Sequence, residues 1–489
     1  MEGVRWMQKL ALAIGLVAGG GVCAAQQPAP PPPKDPTAAL IQSLEQQYAN
    51  GVQLYRQGQL DESRLAFDAT LDRLLSTNIS IRNHPRLQHE LDSLLDRIHA
   101  LESDTLAYGG LNSARPQATP LDRVPELTFP VDPKVRAAIE AEAAAEVHPA
   151  ELNQLPIQLN DPVLRYVHYF TTNGRQDLAN GFRRAGRYRD MVERIFRAAG
   201  VPADLLYLAQ LESDYDPRLV SRAGARGMWQ FMASRSDDYG LKRTKWVDER
   251  EDPEKSTEAA AHHLKDLYAE FGDWYLAMAA YEAGPGTVQA IVARTGYADY
   301  WKLYDMNALP KYLRNYVPVI LATALIARDP AKYGITDFTP DSPDEVSTII
   351  LPHPLDLNLA AECARVTVGD LQHLNPSLLH LEAPAGFALK LPAGAQARFQ
   401  RGLDAVPAAQ WLHWRLHWAR PGDTWAQLAR QNHLSLAALQ TANPAIAAAD
   451  LAPGLPVALP RHSAASPAPA PARLPHGTRV KKSLTAPHV

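Results

Sequence analysis

The sequence predicts a multidomain, mainly α-helical protein that carries an N-terminal helical hairpin module and two small strand-helix-helix-strand (βααβ) modules toward its C-terminus. Three observations carry that reading. The chain has 489 residues, too many for one hydrophobic core, since single cores stop growing at roughly 250 residues. Between 161 and 335 apolar residues recur at helical spacing with almost no strand-like alternation. Beyond that block, "LQHLNP" at 371–376 and "LQTANP" at 439–444 are each followed by "LP" with 16 residues from Asn to Leu, which makes a duplication with a 68-residue period.

Composition names a class and no job. A hydrophobic content of 46%, a charged content of 21% and a net charge of −4 are ordinary for a soluble globular protein, and nothing in that balance calls for a nucleic-acid partner. The N-terminus says more. Arg5 and Lys9 precede "LALAIGLVAGGGVCAA", the charge, apolar and small-residue order of a secretory signal over 1–25. The protein is therefore expected to be exported to the periplasm or cell envelope, with an uncleaved membrane anchor as the alternative. Lipidation of Cys23 fits poorly because Val22 stands where a small residue is expected. The other cysteine is Cys363, so after cleavage no intramolecular disulfide can form, and Cys363 reads as a small buried hydrophobe.

A Pro-rich linker occupies 26–36, with "PAPPPPKDP" as an extended spacer. From 37 to 106 "YANGVQLYRQGQLDESRLAFDATLDRLL" places apolar residues at helical spacing on both sides of a turn, with Asp61 as the expected N-cap, and resembles one tetratricopeptide-type hairpin. One such unit cannot bury its own apolar face. A third helix at 86–103, or a protein partner, is expected to cover it. Seven prolines scattered over 107–160 mark a linker around one short helix at 134–146. The tail, 461–489, has five Lys or Arg, no acidic residue and a "PAPAPA" run, and reads as disordered.

Within the helical block, "LLYLAQLESDYDP" at 205–217 ends an apolar helix, expected over 203–213, with Glu212 on the stripe of Leu205, Leu208 and Ala209. Burial without a cation disfavours the charged carboxylate, and the negative end of the helix dipole pushes the same way. A carboxyl raised by both can hold its proton near neutrality and deliver it to a leaving oxygen. From this helix alone, a proton donor and a solvent-facing Glu at a frayed end are equally supported. "GARGMWQFM" at 224–232 adds glycines for close approach, aromatic faces and an amide, a mix suited to a sugar. "DWYLAMAAYEAGPG" at 273–286 is a second apolar helix, stopped by Gly284 and Pro285, that presents Tyr281 and Glu282 at its end.

These residues carry a resemblance. "LESDYDP", "GARGMWQFM", "YGL", "WVDEREDP", "STEAAA" and "AAYEAGPGTV" occur in the order and spacing of the soluble-type lytic transglycosylase domain. "GFRRAGRYRDMVERIFRAAGVPADLLYLA" upstream and "LPKYLRNYVPVILA" downstream look like the membrane-bound lytic murein transglycosylase D subgroup. The resemblance covers 161–335 and implies a lysozyme-like all-α fold that cleaves the β-1,4 bond between N-acetylmuramic acid and N-acetylglucosamine, with no metal and no organic cofactor. It maps the catalytic glutamate onto Glu212, acid first and then base, with the muramyl C6 hydroxyl attacking the anomeric carbon to leave a 1,6-anhydro product. One carboxylate then suffices where most glycosidases need two. By the same carry-over Ser213, Met228, Gln230 and Tyr281 line the glycan cleft. Glu282, in the candidate glycan-binding set, departs from the family's Asn, and Ala233, Arg235, Tyr312 and Leu313 also replace family residues. A second carboxylate so close to Glu212 raises one of the two pKa values further, and it leaves a lysozyme-like hydrolase using Glu212 and Glu282 as an alternative. A catalytically inactive wall-binding scaffold is another.

His262 and His263 have no acidic or histidine partner at metal spacing, and Asp248, Glu249, Glu251 and Asp252 lack the alternation of a calcium loop. All six read as structural.

The segment 412–460 alternates Trp414, Leu416 and Trp418 as a half-buried strand, caps one helix at Asp423 or Thr424 and a second at Ser435. It resembles a lysin-motif (LysM) domain, which implies binding of N-acetylglucosamine runs in peptidoglycan. The earlier copy, 346–393, has "PLD" where the later has "GDT" and reads as divergent. Trp411, Trp414, Trp418 and Trp425 are divided between sugar stacking and core packing.

Overall fold

The computed structural model describes residues 36–57, 59–77, 79, 84–103, 117–131, 133–144, 154–447 and 451–460. The expected signal segment, nearly all of the Pro-rich linker and the basic tail lie outside them.

Helices α1 (Pro36–Arg56) and α2 (Leu60–Leu75) pack on each other, and α3 (Pro85–Ser103) follows. Helix α2 starts one residue before Asp61: Gln59 takes the cap position without a side-chain bond. Leu44, Phe67, Leu71 and Leu74 share one continuous core with the helical block that follows. The hairpin's apolar face is thus covered by α3 and by the rest of the chain itself, and Arg97 of α3 ties back to Glu45 of α1 through two hydrogen bonds of 2.6 and 3.0 Å.

The stretch expected as a linker is partly a strap. Leu121, Val124, Leu127 and Val131 pack against the same core, Gln117 N–H donates to the Val220 carbonyl at 2.9 Å, and Arg165 and Tyr166 donate to the carbonyls of Phe129 and Pro125. Its helix, α4, spans Pro133–Ala144; the last two residues of the expected helix lie outside the described residues.

The helical block holds α5 (Asp161–Thr171), α6 (Arg175–Ala199), α7 (Leu208–Ser213), α8 (Ala233–Asp238), α9 (Pro253–Phe271), α10 (Trp274–Ala283), α11 (Pro285–Thr295), α12 (Tyr300–Asp305) and α13 (Lys311–Arg328). The caps are those the sequence supplies: Asp252, Asp273 and Asp299 accept from backbone N–H groups at the starts of α9, α10 and α12. α10 and α13 are buried through most of their length and pack on each other, with α9 and α11 on α10 and α5 on α13. The helix expected over 203–213 is a 3₁₀ segment, Ala203–Tyr207, followed by α7. Asp204 in that first turn is a clamp: its carboxylate accepts from Leu155 N–H at 2.8 Å and from Arg328 at 2.7 Å, which joins the start of this segment to the end of α13.

The C-terminal modules repeat one device. In the first, β1 (Val346–Ile350) pairs antiparallel with β4 (Ala388–Pro392), a two-residue pair β2 (Leu355–Asp356) and β3 (Glu382–Ala383) lies inside, and α14 (Leu357–Ala364) and α15 (Val368–Leu374) stand between. Helix α16 (Gln396–Asp404) leads on to the second, where β5 (Arg415–Trp418) pairs with β6 (Pro456–Leu459) around α17 (Trp425–Gln431) and α18 (Leu436–Ala442). The repeated Asn has a reason. Asn375 donates to the carbonyls of Leu371 and Lys390 and accepts from Lys390 N–H, each at 2.8 Å; Asn443 does the same with Leu439 and Ala458 at 2.7–2.8 Å. One amide staples the second helix to the last strand in both copies.

The modules are joined by contact. Leu379 N–H donates to the Trp246 carbonyl at 2.9 Å and Asp248 N–H to the Ser377 carbonyl at 3.0 Å, which fastens the first module to the helical block. Glu362 of the first module accepts from Arg415 and from Leu416 N–H, and Trp418 donates to its carbonyl at 2.7 Å. Trp411, Leu416 and Trp418 belong to the first module's core, with Trp414 packed against it. Three of the four clustered tryptophans therefore act in module packing, and Trp425 packs in the second module's own small core.

The loop 224–232 rests on a buried ionic layer. Arg250 holds Asp248 at 2.7 and 3.0 Å and donates to the Phe231 carbonyl, while Arg226 pairs with Glu251 at 2.7 Å. Gly227 lies between these layers at φ +84°, where a Cβ would stand 1.9 Å from the Arg250 carbonyl oxygen. Both the conformation and the space require glycine. Gly227→Ala is expected to cost about 3 kcal/mol or more, read as a lowered midpoint of thermal unfolding; a midpoint equal to the parent's would contradict this packing.

Candidate active site

Glu212 sits in the last turn of α7, whose six residues are all buried. The helix ends on two successive non-glycine residues in the left-handed region, Asp214 at φ 56° and Tyr215 at φ 62°. Such turns cost on the order of 1 kcal/mol or more each and persist where the surroundings over-determine them. Here Arg184 does so, pairing with the Asp214 carboxylate at 2.6 Å and donating to its carbonyl at 2.9 Å.

The Glu212 carboxyl is buried and accepts a 2.6 Å hydrogen bond from the Tyr316 hydroxyl of α13. Burial above all, then the charge of Glu282 and more weakly that of Asp122, holds its pKa well above the usual carboxylate range, against the opposing pull of Tyr316. The group is therefore built to keep its proton.

A cavity of about 220 Å³ opens beside it. Glu212, Gln230, Tyr281 and Glu282 all line this cavity, so four of the residues singled out in the sequence come together. Tyr281 donates to the Trp229 carbonyl at 2.8 Å. Gln230, at φ 50°, spends both amide protons on the carbonyls of Gly227 (2.8 Å) and Leu219 (3.1 Å). Its Oε1 is buried without a hydrogen-bond partner among the described residues, an unsatisfied acceptor beside the cleft.

Ser213 and Met228 stand behind the wall. Both are fully buried, and the Ser213 hydroxyl donates to the Met228 carbonyl at 2.8 Å, joining α7 to the loop 224–232. Neither is among the residues that line the cavity. Trp229 is also in the core: its indole donates to Thr257 and packs on Phe196. The aromatic faces in the cleft belong to Phe231 and Tyr281.

Several site residues escaped sequence reasoning. Tyr316 lies 104 residues from its partner, and its local signal is a phenol placed just before a run, Val317 to Ala327, that is apolar except for Thr323. His263, read as a structural helix residue, lines the cavity. So do Asp68 of the hairpin and Thr119, Leu121 and Asp122 of the strap. The N-terminal segments are part of the cleft wall. Arg235, a departure from the family pattern, lines the same cavity.

Residues 194–304 match the transglycosylase SLT domain family. The membrane-bound lytic murein transglycosylase D of Escherichia coli (strain K12) is 30% identical over 277 residues, 53% of this chain and 60% of that protein. The chain thus spans less than two thirds of that relative. A protein of Alteromonas sp. (strain M-1) named for tributyltin chloride resistance is 34% identical over 144 residues, 26% of this chain and 70% of that protein. The membrane-bound lytic murein transglycosylase F of Maricaulis maris is 33% identical over 123 residues, 22% of this chain and 25% of its own length. The matched segment takes in α7, the loop 224–232 and α10, so the chain carries a transglycosylase SLT domain.

Proposed function

We propose that this protein is a peptidoglycan lytic transglycosylase of the cell envelope, cleaving between N-acetylmuramic acid and N-acetylglucosamine with Glu212 as the one acid and base. The observation that carries the reading is a buried carboxyl, raised in pKa, on the wall of a polar cleft. Protonated Glu212 gives its proton to the glycosidic oxygen as the bond from the anomeric carbon breaks. The carboxylate left behind takes the proton of the muramyl C6 hydroxyl as that oxygen bonds to the anomeric carbon. The product is a 1,6-anhydro sugar, Glu212 is reprotonated, and no water is consumed. Gln230 Oε1 offers an acceptor to an acetamido N–H, and Phe231 and Tyr281 offer apolar faces to the sugar rings. The modules at 346–393 and 412–460 serve, in this reading, as lysin-motif wall binders that raise the local concentration of glycan strands. The first is the less suited of the two, since its loop at 377–379 is committed to the helical block.

Glu282 favours one second reading, a hydrolase in which this carboxylate directs water at the anomeric carbon. Mass spectrometry of fragments released from purified murein sacculi separates the two. Anhydro products, lighter by one water than reducing ones, are expected; reducing sugars would establish the hydrolase. Glu212→Gln is expected to lower release by about 10²- to 10⁴-fold, the usual share of a general acid, and undiminished release would overturn the assignment.

The pH profile follows from the same charges. Activity requires protonated Glu212 and falls as pH rises through its pKa. Glu282→Gln removes a charge that raises this pKa, so the alkaline limb is expected at lower pH. Tyr316→Phe removes the hydrogen bond that lowers it, so the limb is expected at higher pH. Shifts in one common direction, or none, would contradict the electrostatics of the site.

A further inference from the structure

His263 on α9 is buried, and its ring faces Tyr281 at 5.2 Å and Phe231 at 6.3 Å between centroids. Its Nδ1 lies 3.0 Å from the hydroxyl of Tyr239, and that hydroxyl donates to the Asp266 carboxylate at 3.1 Å. A phenol has one proton and a carboxylate has none to give. With the Tyr239 proton directed to Asp266, the phenol oxygen can only accept from His263, so Nδ1 carries the ring proton. Nε2 is then a bare lone pair on a residue that lines the cavity. Burial and the nearby Arg235 push the His263 pKa down to about 3, which agrees with a neutral ring, and burial and Asp266 hold the Tyr239 phenol well above its ordinary range.

We propose that Asp266 and Tyr239 set the tautomer of His263 so that its Nε2 accepts a hydrogen bond from a hydroxyl or acetamido N–H of the bound glycan, which makes His263 a specificity-determining residue of the cleft. The inference rests on the reading of the cleft as a glycan site. A neutral acceptor suits a saccharide, whose hydroxyls and amides are neutral donors, and it acts on binding more than on bond cleavage.

Two readouts test it, neither dependent on turnover. In full-length protein with ¹⁵N-labelled histidine, the His263 ring, assigned by its loss in His263→Gln, is expected to show a protonated Nδ1 and a bare Nε2 from pH 5 to pH 8. An Nε2–H or doubly protonated ring would overturn the proposal. Tyr239→Phe is expected to shift the ring toward the Nε2–H tautomer. Binding of uncross-linked murein glycan strands is then measured in the Glu212→Gln background. Adding His263→Leu is expected to raise Kd by about three- to ten-fold, the worth of one neutral hydrogen bond. His263→Gln, whose amide oxygen can stand near the Nε2 position, is expected to recover most of that loss. A Kd unchanged by His263→Leu overturns this inference and leaves the enzyme reading intact. Strands that bind no Glu212→Gln protein at all overturn the glycan-cleft reading and the inference with it, whereas tight binding without release by the parent overturns only the enzyme.

Discussion

The hydrogen bond from Tyr316 to the buried carboxyl of Glu212 is the interaction around which the rest of the helical block is arranged. A charged carboxylate taken out of water costs several kcal/mol unless it is paired. No cation is among the groups that set its pKa, and the charges that do, Glu282 and Asp122, are both negative. The stable form is the neutral acid, with the phenol satisfying one oxygen. Everything that keeps α7 in place keeps that proton in place: the clamp of Asp204, Leu155 and Arg328 before it, Arg184 on the left-handed turn after it, and Ser213 tied to the Met228 carbonyl beside it.

The cleft is assembled from far more of the chain than one domain. The hairpin gives Asp68, the strap gives Thr119, Leu121 and Asp122, and the helical block gives the remaining lining residues named above. A single core running from Leu44 to Ile335 makes these segments one body. The C-terminal modules are attached by the same logic of backbone pairing and shared aromatic packing, so any wall binding they contribute acts from a set position relative to the cleft.

Much of this was legible in local patterns. Glu212, Tyr281 and Glu282 announced themselves as polar groups ending apolar helices, the charged loop at 248–252 read as structural, and the duplicated Asn marked a repeated module. What the sequence concealed lies in long-range pairing. Tyr316 and His263 became site residues only when α13 and α9 were laid against α7 and α10. Asp68 did so only because the hairpin's exposed stripe found a home on the helical block. Ser213 and Met228, expected in the cleft, and their neighbour Trp229 sit next to cavity-lining residues in sequence, yet their side chains are buried behind the wall. Of the four tryptophans divided between sugar stacking and core packing, three are occupied in joining the modules.

The chemistry of the cleft depends on the protonation state of one group. Direct titration of the Glu212 carboxyl by ¹³C NMR or difference infrared spectroscopy, identified by its loss in Glu212→Gln, is expected to show a carboxylic acid that persists well above the usual carboxylate range. A carboxyl that ionises in the range of an exposed glutamate, about 4.3, would contradict it.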